Sequence, residues 1–150
     1  MAQTAARTDP YRGFNFRVEI DKTTVASFSE VSGLTADGDA VDYREGKDSA
    51  NSVRKLVGLR KYGVITLKRG YTKEGALWDW YSAVATGAAN ARRSGSIVLQ
   101  DETHADVLYF HFTNGFLNKI MGPDFKAAGN EVAIESAELV VESLTIKLAK

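Results

Sequence analysis

The chain has 150 residues, 44% of them hydrophobic, and its 19 Lys and Arg balance 19 Asp and Glu. That length fits one domain, which buries roughly 70% of the surface its unfolded form exposes, and the balanced charge argues against the broad electrostatic footprint of a nucleic-acid or anionic-membrane binder. With no Cys there is no disulfide framework or thiolate metal site, no segment reaches the ~20-residue apolar run that spans a bilayer, and MAQTAARTDP lacks the apolar core of a secretory signal.

Residues 1–10 read as a loose leader ending in Asp9-Pro10. Phe14, Phe16, Val18 and Ile20 then alternate with Asn15, Arg17 and Glu19, the period of a strand with one buried face. Asp21-Lys22 predict a turn, and Thr23 to Leu34, with Val25, Phe28 and Val31, predicts the second strand of a hairpin closed by Gly33. The stretch from Thr35 to Lys55 follows, a polar segment of 21 residues, longer than compact domains keep without a binding role. It carries Asp37, Asp39, Asp42, Glu45 and Asp48 beside Arg44, Lys47, Arg54 and Lys55, too balanced for a nucleic-acid tail or an acidic tail. Val41 and Tyr43 alternate with Asp42 and Arg44 in its middle, so the stretch reads as an extended, partly strand-like arm.

Beyond the arm, Lys55 to Leu59 is a short apolar piece and Tyr62 to Arg69 a stronger strand ended by Gly70. Thr72, with Glu74 in the first turn, can cap a helix on which Leu77, Trp80, Tyr81 and Val84 recur at helical spacing until Gly87. Trp78 and Trp80 point about 200° apart on such a helix, so one is predicted core and the other exposed or at an interface. Ser96 to Asp101 predicts a strand, Glu102 to Asp106 a turn, and Val107 to Asn114 a strand apolar on both faces. Gly122-Pro123-Asp124 breaks the chain again. From Glu131 to Ala149 the even positions Val132, Ile134, Val140, Leu144, Ile146 and Leu148 are apolar, while Leu139 and Val141 hold the other parity. At roughly 3.3 Å per residue this run would extend about 60 Å, so a bulge or change of sheet is expected near its middle, where the inward face switches. These elements predict a mainly β fold, an antiparallel barrel or sandwich with one flanking helix and an extended arm.

The chemistry is thin. His104 falls in a turn and His111 in a strand, neither with a second His or Cys at metal-ligand spacing, so both read as structural or solvated. Glu131 and Glu135 would share one strand face about 13 Å apart, too far to act on one bond, and read as surface or interface charges. Asp37, Asp39 and Asp42 crowd oxygen ligands but lack the sixth-position Gly and twelfth-position Glu of a calcium loop. Gly58 to Gly63 is followed by no helix, as a phosphate loop would be. Arg60-Lys61, Lys68-Arg69 and Arg92-Arg93 interleave with Tyr62 and Tyr71, but the zero net charge favours solvated or subunit-contacting roles over a nucleic-acid groove. No catalytic, metal or cofactor site is predicted.

Taken in order, Asp9-Pro10-Tyr11-Arg12-Gly13-Phe14-Asn15-Phe16, Glu30-Val31-Ser32-Gly33-Leu34, Tyr43-Arg44-Glu45-Gly46, Gly58-Leu59-Arg60-Lys61-Tyr62-Gly63, Leu67-Lys68-Arg69-Gly70, Leu77-Trp78-Asp79-Trp80 and Gly129-Asn130-Glu131-Val132-Ala133-Ile134-Glu135 closely resemble the tail-tube protein family of contractile phage tails. The likeness runs from Asp9 over nearly the whole chain; its wider circle includes inner-tube proteins of extracellular contractile injection systems and, more distantly, the haemolysin-coregulated tube protein of type VI secretion. GFLNKIM after Asn114 departs from it, being more apolar and less aromatic than expected.

The resemblance implies a non-catalytic barrel-like subunit. Six copies would form a ring, rings would stack into a hollow tube inside a sheath, and strands of all six would line the lumen. Baseplate and terminator proteins would complete the particle, with cargo or DNA in the bore, no cofactor and no membrane insertion by the chain itself. Assembly would occur in the cytoplasm, for a phage tail or an extracellular particle. The arm would touch the next ring, with Asp37, Asp39, Asp42, Tyr43, Arg44, Glu45, Lys47, Arg54 and Lys55 as its contact residues. Two other readings stand beside this one: a monomeric β-sandwich whose arm binds a protein or carbohydrate, and, least supported, a small hydrolase using His104 or His111.

Overall fold

Short alternating runs become strands, and the one run of helical period becomes a helix. The computed structural model describes residues 9–149 other than 14, 22, 26–27, 48, 50, 71–74 and 130–131. Most of the leader, Phe14, Lys22, the cap residues Thr72 and Glu74, Asp48 and Glu131 therefore lie outside the described residues. Strand β1 (Phe16–Ile20) pairs with β2 (Thr23–Val25) across a turn in which Asp21 takes a φ of 52°. The predicted second strand does not continue to Leu34. It divides, and β3 (Glu30–Ser32) pairs instead with β6 (Ile65–Gly70), while Phe28 enters the core between the two pieces.

Strands β4 (Ala36–Tyr43) and β5 (Arg54–Tyr62) form a separate two-stranded sheet. Helix α1 (Ala76–Ala85) follows β6, and then come β7 (Arg93–Gln100), β8 (Asp106–Met121), β9 (Ile134–Val140) and β10 (Ser143–Leu148). Every pairing is antiparallel, in the order β2-β1-β7-β8-β9-β6-β3, with β10 beside the first half of β8. Among the described residues the end strands β2 and β3 do not pair with each other, so the sheet stays open and folds into a sandwich rather than closing into a barrel.

Strand β8 joins the two layers. It runs well past the predicted end at Asn114, and the residues GFLNKIM continue it. Before Asn114 it pairs with β7 and β10; after Gly115 it pairs with β9, Phe116 facing Val140. Asn114 takes a φ of 49°, and a Cβ on buried Gly115 would lie 3.1 Å from both Leu139 and Phe112, so the strand turns where only a small residue fits. Between the layers Val18, Ile97 and Phe112 meet Leu67 and Leu139. Leu77 and Trp80 of α1 join this core and Trp80 Nε1 donates to Ala91 O at 2.7 Å, while Trp78 is exposed, as the helical spacing predicts.

The last β run breaks at Val141–Glu142, near its middle, as expected. The predicted inward parity of its first half is wrong: Val132 and Ile134 are exposed, while Glu135, Ala137, Leu139 and Val141 are buried. Ala137, Leu139 and Val141 take this face into the core, and Glu135 goes with them because it is paired. Glu135 faces Arg69 across the β6–β9 ladder and accepts a hydrogen bond from its Nε, both side chains are almost wholly buried, and the guanidinium sits 6.0 Å from the Phe28 ring. Neither Glu135 nor Arg69 is therefore the surface or subunit-contact charge that the sequence pattern indicates.

Removing one partner of a buried pair strands the other charge, at a cost of about 3–5 kcal/mol. Glu135→Ala is expected to lose that much in urea unfolding, whereas Glu30→Ala, which breaks the exposed Glu30–Lys68 pair, should stay within about 1 kcal/mol. Equal losses would contradict this account of the parity.

Candidate functional site

The arm starts from a crossing too tight for side chains. Gly33 has a φ of 86°, and a Cβ there would lie 2.0 Å from Val64 O; a Cβ on Gly63 would lie 1.9 Å from Thr35 Oγ1. Thr35 N donates to Gly33 O at 2.8 Å within the outgoing segment, and Gly63 N donates to Thr35 O at 3.0 Å, tying the outgoing and returning strands together. From there the ladder runs from Ala36 opposite Tyr62 to Tyr43 opposite Arg54, with a register shift past Gly38. The arm is thus a β-hairpin over residues 36–62, longer than the predicted 35–55, because the apolar piece Lys55–Leu59 is its returning strand.

The register brings the predicted contact residues together mainly with one another. Asp42 pairs with Lys55, Asp39 lies 3.8 Å from Lys61, and Tyr43 Oη donates to Glu45 at 3.0 Å. Asp37 accepts from the Gly38 amide at 2.8 Å, and Arg44 and Lys47 are exposed in the connecting loop. The ion pairs are solvent-exposed, so each contributes about 0–1 kcal/mol. They set the hairpin's register more than its stability. Charge reasoning alone missed the apolar content: Val41, Tyr43 and Leu56 share one face, and Val57 and Leu59 are more than three-quarters exposed. A two-stranded hairpin is marginal alone in water, and clustered exposed apolar residues mark an interaction surface.

The second feature is the non-core face of the β1-β7-β8-β10 layer. Arg17 is held by Asp106 through two hydrogen bonds, that from Nη2 at 2.8 Å, and by Glu19 at 2.9 Å from Nε. Gln100 at 3.2 Å and the Tyr109 hydroxyl at 3.0 Å also donate to Asp106. Further along, Ser96 Oγ meets His111 Nδ1 at 3.0 Å, and Thr113 bonds Ser143. His104 sits in the 101–105 turn with a φ of 63°, its amide donating to Asp101 O at 3.0 Å. The guanidinium of Arg17, ahead of the opposing effect of burial, lowers the Asp106 pKa to about 2, and Asp106 in turn raises that of Arg17. Alternation along β1 and β7 foreshadows this face, but Asp106 is 89 residues from Arg17, and only the fold pairs them.

An open sandwich carrying a long hairpin with exposed apolar residues has the kind of surface through which proteins assemble. The family match makes the class specific. Residues 12–145 match the model of the T4-like virus tail tube protein gp19, and the chain belongs to that family of structural tube proteins of contractile tails. No curated protein sequence matches it significantly. Among solved structures it is similar to a chain of the anti-feeding prophage cap, described as the AFP tube terminating cap, with 26% identity, a TM-score of 0.85 and coverage of 98% of this chain and 97% of that one. A chain of the extended sheath–tube complex of PVC, an extracellular contractile injection system, shares the fold at 22% identity, TM-score 0.79 and 93% coverage of each. Hcp1 from Flavobacterium johnsoniae shares it more loosely, at 15% identity and TM-score 0.54 over 89% of this chain and 95% of that one.

Because Asp106 titrates at about 2 in the folded protein against an ordinary 3.8, its ion pair stabilises the fold above about pH 4, and that contribution is lost as pH falls through 2. Asp106→Asn should lower stability at neutral pH and flatten the acid limb between pH 4 and 2 in denaturant titrations. A limb parallel to that of the wild type would contradict the assignment.

Proposed function

We propose that the chain forms six-membered rings that stack into the inner tube of a contractile injection particle or phage tail, a conduit for cargo or DNA with no catalytic step and no cofactor. The observation that carries this reading is the hairpin at 36–62, which leaves Val41, Tyr43 and Leu56 nearly half exposed and Val57 and Leu59 more than three-quarters exposed, in a chain of the tail-tube family. A head-to-tail contact within a plane closes a ring, and a different contact along the axis propagates a tube. The arm makes the axial contact, with Asp37, Asp39, Asp42, Tyr43, Arg44, Glu45, Lys47, Arg54 and Lys55 fixing register at its rim. The Arg17–Asp106 face lines the bore, since a wall facing water tolerates hydrogen-bonded polar groups where a core does not.

A surrounding sheath, a baseplate and a terminator are the partners, supported by the sheath–tube, cap and baseplate particles that contain similar chains. The tube assembles in the cytoplasm and works in the tail or in an extracellular particle.

Six chains of 16.4 kDa make a ring of about 100 kDa. Light scattering and electron microscopy of the purified protein should show such rings or longer tubes. A strict monomer across concentration and salt would overturn the reading and favour a binding module. Reversing the arm's charge by Asp42→Lys or Arg44→Glu should shorten tubes while changing the melting temperature by only a few degrees, because exposed pairs contribute little to folding. Tubes of normal length would remove these residues from the contact.

A further inference from the structure

Exposed apolar residues lie on the arm and at the end of β6 remote from the arm's root. The arm leaves the body at Gly33 and Gly63, beside Ile65 at the start of β6. At the other end of β6, Gly70 pairs with Ile134, and Met121 ends β8 two residues from that position, opposite Ser136. There Phe125 is 87% exposed and Val132 75%, with Ile134 and Met121 also exposed. Val132 and Ile134 wall a shallow cleft with Gly129, flanked by Asp124 and Lys126.

We propose that this cleft receives the arm of a second copy of the chain, the Val41–Tyr43–Leu56 face of one subunit covering Val132, Ile134 and Phe125 of the subunit stacked on it. The inference rests on the tube reading and adds the acceptor surface, which that reading leaves unassigned. A second copy fits better than a foreign partner for two reasons. The root of the donor arm and the acceptor cleft sit at opposite ends of β6, so joining arm to cleft cannot close on itself within one chain and repeats along an axis. The charges also match in kind: Asp124 and Lys126 flank the cleft, Arg44 and Glu45 stand at the arm's tip, and each sign at one end has its opposite at the other. The pairing explains why Val132 and Ile134 are apolar although they point out of the fold, the feature that misled the parity prediction.

The absence of native cysteine makes the test clean. A chain carrying both Leu56→Cys and Val132→Cys, treated with a bis-maleimide after assembly, should give a ladder of covalent multimers on denaturing gels. A Leu56→Cys, Trp78→Cys chain should not. Separately, Val132→Glu should leave rings of about 100 kDa and abolish tubes. Tubes seen by microscopy without a Leu56–Val132 ladder, or tubes of wild-type length from Val132→Glu, would overturn the acceptor assignment and leave the tube reading standing. A chain that forms neither rings nor tubes contradicts both.

Discussion

Everything in this fold hangs on β8 belonging to two layers at once. Its first half is hydrogen-bonded between β7 and β10 and its second half to β9, so the backbone ladder itself carries the chain from one sheet to the other. The turn at Asn114-Gly115 sets the angle between them. The core fills the space that this angle leaves, with Phe112 and Leu117 of β8 on either side of the bend and α1 packed against it. Filling Gly115 would press a methyl against the Leu139 and Phe112 side chains, which would have to give by a few tenths of an ångström.

The same geometry explains how an assembly protein can be stable as a subunit and still unfinished. The two layers bury a continuous core, yet the arm and the Phe125–Ile134 end remain apolar and uncovered. Such surfaces are a liability in a monomer and a driving force in a polymer. Charge contributes differently in the two settings. Buried Arg69–Glu135 lets β9 turn Glu135 inward with Ala137, Leu139 and Val141, whereas the exposed Asp42–Lys55 pair orders the arm without committing much stability to it.

Much of this was legible in the sequence, for identifiable reasons. Strands such as Phe16–Ile20 and Ile65–Gly70 alternate cleanly because one face is core, and the two tryptophans divided as helical geometry requires. The arm announced itself by length and charge. Its true end did not, because Leu56, Val57 and Leu59 are apolar on both parities around the register shift, so no face could be assigned. The strand predicted to end at Asn114 runs on to Met121, because the bend at Asn114-Gly115 changes its partners without ending it. The facing of β9 was hidden because a buried carboxylate looks like a surface residue until its partner, 66 positions away, is known. Ring and tube contacts are properties of several chains, and one chain supplies only their unsatisfied halves.

The central claim is that the 36–62 hairpin joins ring to ring and has no part in closing the ring. The most direct measurement is electron microscopy, with sedimentation, of a chain in which residues 39–59 are replaced by Asn-Gly, which joins Gly38 to Arg60 through a two-residue hairpin turn. The account predicts discrete rings of about 100 kDa and no tubes at any concentration. Tubes indistinguishable from those of the full chain would contradict it.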